Sequence, residues 1–315
     1  MLDYSKKIFV AGRGLVGSAL LRKLESLGAD RLISPSRREL DLTNQAAVEA
    51  FFQAEKPAYV FLAAAKVGGI AANSTYPADF FRINLAIQNN VIDAAWRHGC
   101  EKFLFLGSGC IYPRLCPQPI KEEYLLTGPL ESTNDAYAVA KIAGLMMCRA
   151  YRRQFGFDAI SVMPANLYGP EDNFHPQDSH VLPALMRRMH ESKMAGHPQA
   201  VVWGTGRPLR EFLHVDDLAE ACVFLMNNYS GESHVNIGTG QEFSTLGLAG
   251  LVAGVVGFQG QLVTDPSKPD GTPRKLLDIS FISKLGWKPS IDFEAGLADC
   301  YKWYLQAVAD ERLRK

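Results

Sequence analysis

The chain lacks a net charge, a long apolar run and any paired cysteine motif. Its 33 Lys and Arg residues balance 33 Asp and Glu residues, so no overall basic field favours nucleic acid as a partner. The apolar run that begins at Ile8 is too short for a signal peptide, and no stretch is long enough to span a membrane. The six cysteines show neither a CxxC pair nor zinc-ligand spacing. We therefore expect no metal site and the reduced thiols of a cytoplasmic protein.

Short apolar runs alternate with helical patterns through the first half of the chain. Uninterrupted apolar strands between helices are typical of a parallel sheet that is covered on both faces. The sequence therefore predicts an α/β fold with a Rossmann-type doubly wound parallel sheet. The predicted strands are Ile8–Ala11, Leu32–Ser34, Tyr59–Ala63, Lys102–Leu106 and Ala159–Met163, and the predicted helices are Ser18–Leu27, Gln45–Glu55, Asn84–His98 and Ala136–Phe155.

The pattern changes after Asn166, where Pro, Gly, His and Asp become frequent and predict a site-lining loop over Tyr168–Ser179. We place the boundary of the nucleotide-binding domain here, with residues 1–166 on one side and a smaller, mainly substrate-binding lobe of residues 167–315 on the other. Most of the C-terminal third is predicted to be irregular. The regular elements expected after the boundary are helices at Val181–Met194 and Asp216–Met226 and strands at Val201–Val202, Phe212–Val215 and His234–Ile237, the last of which we expect to rejoin the main sheet.

A glycine loop follows the first predicted strand and opens the first predicted helix. In that position glycines let the backbone approach a pyrophosphate, and the helix N-terminus attracts its negative charge. The alternative interpretation is a glycine turn that only packs helix on strand. The predicted cofactor contacts in the loop are Gly12, Arg13, Gly14, Leu15, Val16 and Gly17.

The second strand lacks the terminal acid that would hold the ribose diol of NAD. It is followed instead by Ser34-Pro-Ser-Arg-Arg38. A guanidinium group suits a phosphate, so we predict NADPH as the cofactor, with Arg13 and Arg37 on the extra phosphate. Arg38 is expected to be a solvated surface charge. We place Asp41 and Leu42 beside the adenine.

Tyr137 and Lys141 are four residues apart, which puts them on one face of a predicted helix. A nearby ammonium group favours the phenolate form of a tyrosine, which could then exchange a proton with a carbonyl oxygen while hydride arrives at carbon. Lys141 would also hold the nicotinamide ribose, and Ser108 could bind the same carbonyl. A chance surface pair is the alternative. We expect Pro164, Asn166 and Leu167 to line the nicotinamide pocket. The further predicted cofactor contacts are Leu106, Gly107, Ser108 and His180.

Six longer segments are more specific than any of these short motifs. With them the chain resembles the extended short-chain dehydrogenase/reductases and, among these, the GDP-L-fucose synthases, which are 3,5-epimerase/4-reductases. The resemblance implies GDP-4-keto-6-deoxy-D-mannose as the substrate and a homodimer that packs through helices, for which Asn84–His98 and Ala136–Phe155 are candidates. The segments are Ala63–Ile70, Gly107–Pro113, Asn166–Pro170, Asp172–His175, Arg210–Asp216 and Lys268–Lys275.

The resemblance also assigns roles in inverting carbons three and five beside the ketone. Inversion needs an acid and a base on opposite faces of the sugar ring, with pKa values near working pH. By the resemblance Cys110 is the base and His180 the acid. From composition alone, a small buried cysteine and a helix-capping histidine would be the more common interpretations, and we expect His175 to be structural. Gly109 and Cys110 stand where related dehydratases carry an Asp-Glu pair, which argues against dehydration.

The resemblance further implies that Arg188, Trp203, Arg210 and Asp270 bind the nucleotide sugar. Surface charge and core packing are the alternatives for Arg188 and Trp203. The chain departs from the family in two places: only Arg13 separates the first two glycines of the loop, and Gly109 replaces a second serine. Two other functions stay open, a related GDP-keto-sugar enzyme such as a GDP-colitose synthase and a silent NADPH-binding regulator.

Overall fold

The computed structural model describes residues 1–176 and 178–313. Gln177, inside the predicted site-lining loop, and residues 314–315 lie outside the described part. The strands are β1 (Ile8–Ala11), β2 (Leu32–Ile33), β3 (Tyr59–Leu62), β4 (Lys102–Leu106), β5 (Ala159–Pro164), β6 (Asn166–Tyr168), β7 (Gln199–Trp203), β8 (Leu209–His214), β9 (Val235–Ile237), β10 (Glu242–Ser244), β11 (Gln261–Asp265) and β12 (Arg274–Lys275).

The helices fill the segments between these strands. They are α1 (Leu15–Ser26), α2 (Gln45–Glu55), α3 (Ile70–Thr75), α4 (Pro77–Arg97), α5 (Asp135–Phe155), α6 (Val181–Met194), α7 (Val215–Asn228), α8 (Thr245–Val256), α9 (Ser280–Leu285) and α10 (Phe293–Ala309). Among the helices of the described residues, none has both the length and the apolar character needed to cross a lipid bilayer.

The main sheet is parallel throughout and has the strand order β2-β1-β3-β4-β5-β9. Every residue of β1, β3 and β5 is buried, as expected for strands covered by helices on both faces. The predicted fold class is therefore confirmed. Chain order reverses between β1 and β3, and crevices at the carboxyl ends of strands near such a point are where ligands bind in this class of sheet.

Smaller sheets lie in the second half of the chain. Strand β8 pairs with β10, β12 and β6, and β7 pairs with β11. A second cluster of buried apolar side chains, separate from the one around the main sheet, packs α6, α8 and α10 against these strands. The division at residue 166 into two domains stays a prediction.

The structure differs from the prediction most in the C-terminal third, which is not irregular. Helix α8 carries glycines at 247, 250 and 254, which obscured its helical pattern, yet Leu248, Val252 and Val256 form a buried face at helical spacing. Helix α10 begins at an Asp292 side chain that accepts a hydrogen bond from the Ala295 backbone N–H.

Candidate active site

The glycine loop lies between β1 and α1, as predicted. Gly12 has a φ of +111°, and a Cβ atom added there would lie 2.9 Å from the backbone nitrogen of Ala64. A Cβ on Gly17 would overlap the carbonyl oxygen of Gly12, so helix and strand approach closely at this point. Gly14 is exposed and open on its Cβ side, and it precedes the first turn of α1 with no side-chain cap. The loop thus presents free backbone N–H groups at a helix N-terminus, which fits a pyrophosphate.

The residues expected at the adenosine end surround the turn that follows β2. Arg13 and Arg37 are both exposed. Hydrogen bonds from Ser36 lower the pKa of Glu39, and the charge of Arg13 lowers it further. Hydrogen bonds from Thr43 lower the pKa of Asp41, and the charge of Arg37 adds to that effect. The Asp41 carboxylate accepts hydrogen bonds from the Thr43 backbone and hydroxyl groups, so it shapes the turn. Leu42 is buried beneath the turn.

Tyr137 and Lys141 lie on the first turns of α5. The Lys141 ammonium donates a hydrogen bond of 2.7 Å to the carbonyl oxygen of Leu106 at the end of β4, and it lies 6.0 Å from the centre of the Tyr137 ring. Ser108 follows β4 and lies close enough to the Tyr137 side chain to lower its pKa. The structure therefore brings the three predicted reduction residues together at the carboxyl edge of the sheet.

The ionisation of this group differs from the prediction. Burial raises the pKa of Tyr137 well above its ordinary value, the nearby Cys110 raises it further, and the hydrogen bond with Ser108 lowers it by less. Burial also lowers the pKa of Lys141 to about 7. The expected shift towards phenolate is absent in the free protein because loss of water on burial dominates the pKa of Tyr137. Tyr137 is a protonated phenol here.

Cys110 lies in a short turn after β4, with its thiol among hydrogen-bond donors. The Lys275 ammonium donates to its sulfur at 3.2 Å, and the Asn134 amide donates at 3.4 Å. Burial by itself would raise the pKa of Cys110, but the charge of Lys275 and hydrogen bonds with Ser108, Lys275 and Asn134 together bring that pKa below its ordinary value. This environment favours the thiolate, which is the form that acts as a base.

His180 immediately precedes α6 and is reached by solvent, although protein surrounds it in the cleft. That crowding lowers its pKa, and the positive charge of Lys275 lowers it further. The segment before it is fixed by the loop after β3, since the Gly69 N–H donates to the Asp178 carbonyl oxygen at 3.2 Å. Its side chain makes no capping hydrogen bond to α6, which disfavours the helix-capping interpretation.

Two of the predicted substrate residues form an aromatic–cation cluster. The guanidinium carbon of Arg188 lies 4.8 Å from the centre of the Trp203 ring, and the ammonium of Lys268 lies 5.4 Å from it. Trp203 is 43% exposed, so its ring is a surface feature of the cleft and not part of the core. Arg188 also donates a hydrogen bond of 2.5 Å to the Val201 carbonyl oxygen, which holds the guanidinium against the ring.

Arg210 and Asp270 are linked to each other through the backbone. Arg210 donates to the carbonyl oxygen of Asp270 at 3.1 Å, and the Asp270 carboxylate accepts hydrogen bonds of 2.8 Å from the backbone and hydroxyl groups of Thr205. Burial lowers the pKa of Arg210. Asp270 therefore both shapes the loop after Trp203 and retains lone pairs for a ligand.

The remaining predicted cofactor residues lie at the carboxyl ends of the central strands. Leu106 is the last residue of β4 and Gly107 follows it. Pro164 ends β5, and Leu167 lies in β6. The Asn166 amide donates to the Glu211 carbonyl oxygen at 2.7 Å. The predicted nicotinamide residues thus share one edge of the sheet with Ser108 and Lys141.

Two residues at the site were missed by the prediction. Lys275 belongs to a segment that was singled out as a whole, and Asn134 immediately precedes the observed helix α5, but no spacing rule connects either residue to Cys110. Both reach the sulfur only through tertiary structure, over 165 and 24 residues of chain respectively.

Comparison with known proteins matches this architecture to a large enzyme family. The family model described as the NAD dependent epimerase/dehydratase family matches residues 8–238. GDP-L-fucose synthase 1 from Arabidopsis thaliana is 63% identical over 98% of this chain and 96% of its own length. GDP-L-colitose synthase from Yersinia pseudotuberculosis is 34% identical over 95% of this chain and 98% of its own length.

A solved structure supports the same assignment. The NADP-bound GDP-L-fucose synthetase from Naegleria fowleri superposes with a TM-score of 0.91 at 29% identity, and the match covers 100% of this chain and 98% of that one. The family resemblance predicted from the sequence is therefore confirmed. The chain belongs to the NAD dependent epimerase/dehydratase family and, within it, to the GDP-L-fucose synthases.

Proposed function

We propose that this protein converts GDP-4-keto-6-deoxy-D-mannose to GDP-L-fucose, by inverting carbons three and five and then reducing the ketone at carbon four with NADPH. The observation that carries the proposal is the Cys110 thiol, held beside the Lys275 ammonium within the site that contains Tyr137 and Lys141. A simple ketone reductase has no use for a second acid–base group of this kind.

The residues present fit NADPH. The glycine loop offers space and backbone donors for the pyrophosphate, and Arg13 and Arg37 lie exposed where the extra phosphate would sit. When bound, this cofactor supplies the hydride that reduces carbon four. We assign Lys141, which donates a hydrogen bond to the Leu106 carbonyl oxygen, to holding the nicotinamide ribose.

Epimerisation begins with proton removal by Cys110. The thiolate takes a proton from the carbon next to the ketone, an S–H bond forms, and the C–H electrons move into an enolate whose charge rests on the ketone oxygen. Hydrogen bonds from Tyr137 and Ser108 stabilise that oxygen. His180 returns a proton to the opposite face of the carbon, and the ketone re-forms with inverted configuration.

His180 must be protonated to act in this way. In the free protein its pKa is lowered, which favours the neutral ring. The negative charges of a bound diphosphate would act in the opposite direction and restore its proton.

Reduction uses the same oxygen. As hydride reaches carbon four, the oxygen gains negative charge and accepts the proton of Tyr137. The raised pKa of Tyr137 suits this role, because the phenol carries its proton at neutral pH. The phenolate that remains is stabilised by Ser108 and by the charge of Lys141.

The nucleotide end of the substrate is assigned to the second half of the chain. Arg188 and Arg210 can each bind a diphosphate with two N–H groups, and Trp203 offers a flat face for a base or a sugar. Asp270 is placed to accept hydrogen bonds from the guanine edge or a hydroxyl. We also assign a homodimer and a cytoplasmic location, the latter because all six thiols are free.

Product analysis tests the function directly. The purified protein is incubated with NADPH and GDP-4-keto-6-deoxy-D-mannose, and the sugar is identified by NMR. We expect GDP-L-fucose with one NADPH consumed per product. A GDP-colitose synthase is the second candidate, supported by its near-full-length similarity at 34% identity. Turnover confined to a different GDP-keto-sugar would favour that enzyme, and NADPH binding without any turnover would favour a regulator.

A further inference from the structure

Lys275 reaches the active-site thiol from a distant part of the chain. It is the second residue of β12, which lies parallel to β8 with Lys275 in register with Arg210. Just beyond it, the Leu277 N–H donates at 2.9 Å to the carboxylate of the fully buried Glu211. The strand that carries this ammonium is therefore held in place by its pairing with β8 and by the hydrogen bond to Glu211.

The departure from the family at Gly109 lies directly beneath this lysine. A Cβ atom on Gly109 would lie 3.1 Å from Cε of Lys275, so the lysine side chain passes directly over the glycine. A serine at this position, as the family commonly has, would require the end of the lysine side chain to shift by a few tenths of an ångström.

Other charged or titratable groups face Cys110 from neighbouring elements, and none replaces Lys275. Tyr137 on α5 is a neutral phenol. Arg210 on β8 uses two of its N–H groups on backbone carbonyl oxygens. Glu131, which lines the small cavity beside Cys110, is paired with an arginine. Within the part of the chain that the structure describes, Lys275 is the cation that contacts the sulfur.

We propose that Lys275 is the positioning residue for epimerisation, whose ammonium stabilises the thiolate form of Cys110 and makes His180 a stronger acid. This inference rests on the proposed function, because it assigns the lysine to that reaction. One charge serves both steps: it stabilises the base before proton removal and promotes release of the proton from the imidazole on the opposite face. The electrostatic effect of Lys275 on both residues agrees with this assignment.

Removing this charge has a measurable consequence before any substrate is bound. In Lys275→Met the Cys110 thiol loses its cation, so its pKa rises and the fraction of thiolate at pH 7 falls by about tenfold for each unit of pKa. We expect the rate of Cys110 alkylation by iodoacetamide at pH 7 to fall by about tenfold or more. The midpoint of the rate's pH profile should move upward by at least one unit.

The experiment uses the full chain and counts modified Cys110 by mass spectrometry. Cleavage at Lys102 and Arg114 yields a peptide that contains Cys110 and none of the other five cysteines. Lys275→Arg keeps the charge and should restore most of the reactivity at neutral pH. Lys288→Met removes an exposed lysine elsewhere and should leave the profile unchanged. NADPH binding by each variant verifies that it is folded.

Two further results decide the inference. Solvent deuterium entry at carbons three and five should slow in Lys275→Met, with the same upward shift in its pH profile. An alkylation profile that coincides with that of the unaltered chain would overturn the role of Lys275. If the alkylation profile shifts as expected but the unaltered chain makes no GDP-L-fucose, the ionising contact stands, and both the proposed function and the epimerisation role of Lys275 fail.

Discussion

Tyr137 illustrates how burial changes the chemistry expected from a two-residue motif. The spacing to Lys141 predicted a phenolate, but the lysine donates a hydrogen bond to the Leu106 carbonyl oxygen and its own pKa falls to about 7 through burial. Burial disfavours the charged form of Tyr137 as well, and so raises its pKa. A neutral phenol next to a lysine that titrates near pH 7 is ready to donate a proton and then to be stabilised as its anion.

Replacing Tyr137 with Phe removes that proton donor and should separate the two halves of the reaction. We expect the rate of NADPH oxidation to fall by about 10²- to 10⁴-fold, the usual contribution of a general acid. Deuterium exchange next to the ketone should fall less, because Cys110 still removes the proton. Absorbance of NADPH and NMR of recovered substrate measure the two rates. Tyr4→Phe, far from the site, should change neither rate, and unaltered oxidation in Tyr137→Phe would refute the assignment.

At the scale of elements, burial decides what a sequence reveals. Fully buried parallel strands appear as apolar runs, and so β1 and β4 were predicted with their observed ends. Helix α8 was missed because its glycines lower helical propensity, while packing of its apolar face supplies the stability. The Tyr137–Lys141 pair is local and was predictable. The contact of Lys275 with Cys110 was not, because it depends on the pairing of β12 with β8.

The loop before α3 contacts the segment that carries His180, so a substitution in this loop should disturb that histidine. Gly69 has an ordinary φ of −68°, so alanine is compatible with its backbone, but the added Cβ would lie 2.8 Å from the Ser179 carbonyl oxygen. In Gly69→Ala the segment must move, and His180 with it. A displacement of about 1 Å commonly costs about a hundredfold in rate. We expect GDP-L-fucose formation to fall by about that factor.

The signature of this variant is exchange without inversion. Cys110 can still remove a proton and return deuterium to the same face, so recovered substrate should carry deuterium with its configuration unchanged. NMR of the recovered sugar distinguishes this from a general loss of structure. Gly254→Ala, exposed on α8 with open space around its Cβ position, is the matched control and should retain full activity. Normal inversion in Gly69→Ala would show that the loop does not position His180.

For the whole molecule, the site is assembled from both clusters of buried side chains. The main sheet supplies the groups proposed to act on the ketone, from the connection after β4 and the start of α5. The second cluster supplies Arg188 from α6 and Arg210 from β8. Lys275 comes from the second group of strands and contacts the Cys110 thiol after β4, so it connects the proposed nucleotide-sugar residues to the proposed epimerisation base.

An apolar face on the outside of the sheet predicts how two copies associate. Helices α4 and α5 pack along each other, and they expose Phe81, Val139 and Met146, of which the last two are seven residues apart and share one face of α5. We expect this face to be covered in a symmetric homodimer. Met146→Glu would then bury one carboxylate per subunit and raise the dimer dissociation constant by about a hundredfold or more.

Sedimentation equilibrium measures that constant, and light scattering on a sizing column gives the mass at a fixed concentration. Met194→Glu is the matched control, because Met194 is 72% exposed at the end of α6 and away from the α4–α5 face. It should leave the dimer intact. Each subunit contains a complete set of the residues assigned to catalysis, so the Met146→Glu monomer should still bind NADPH. A Met146→Glu protein that stays dimeric at nanomolar concentration would exclude this face as the interface.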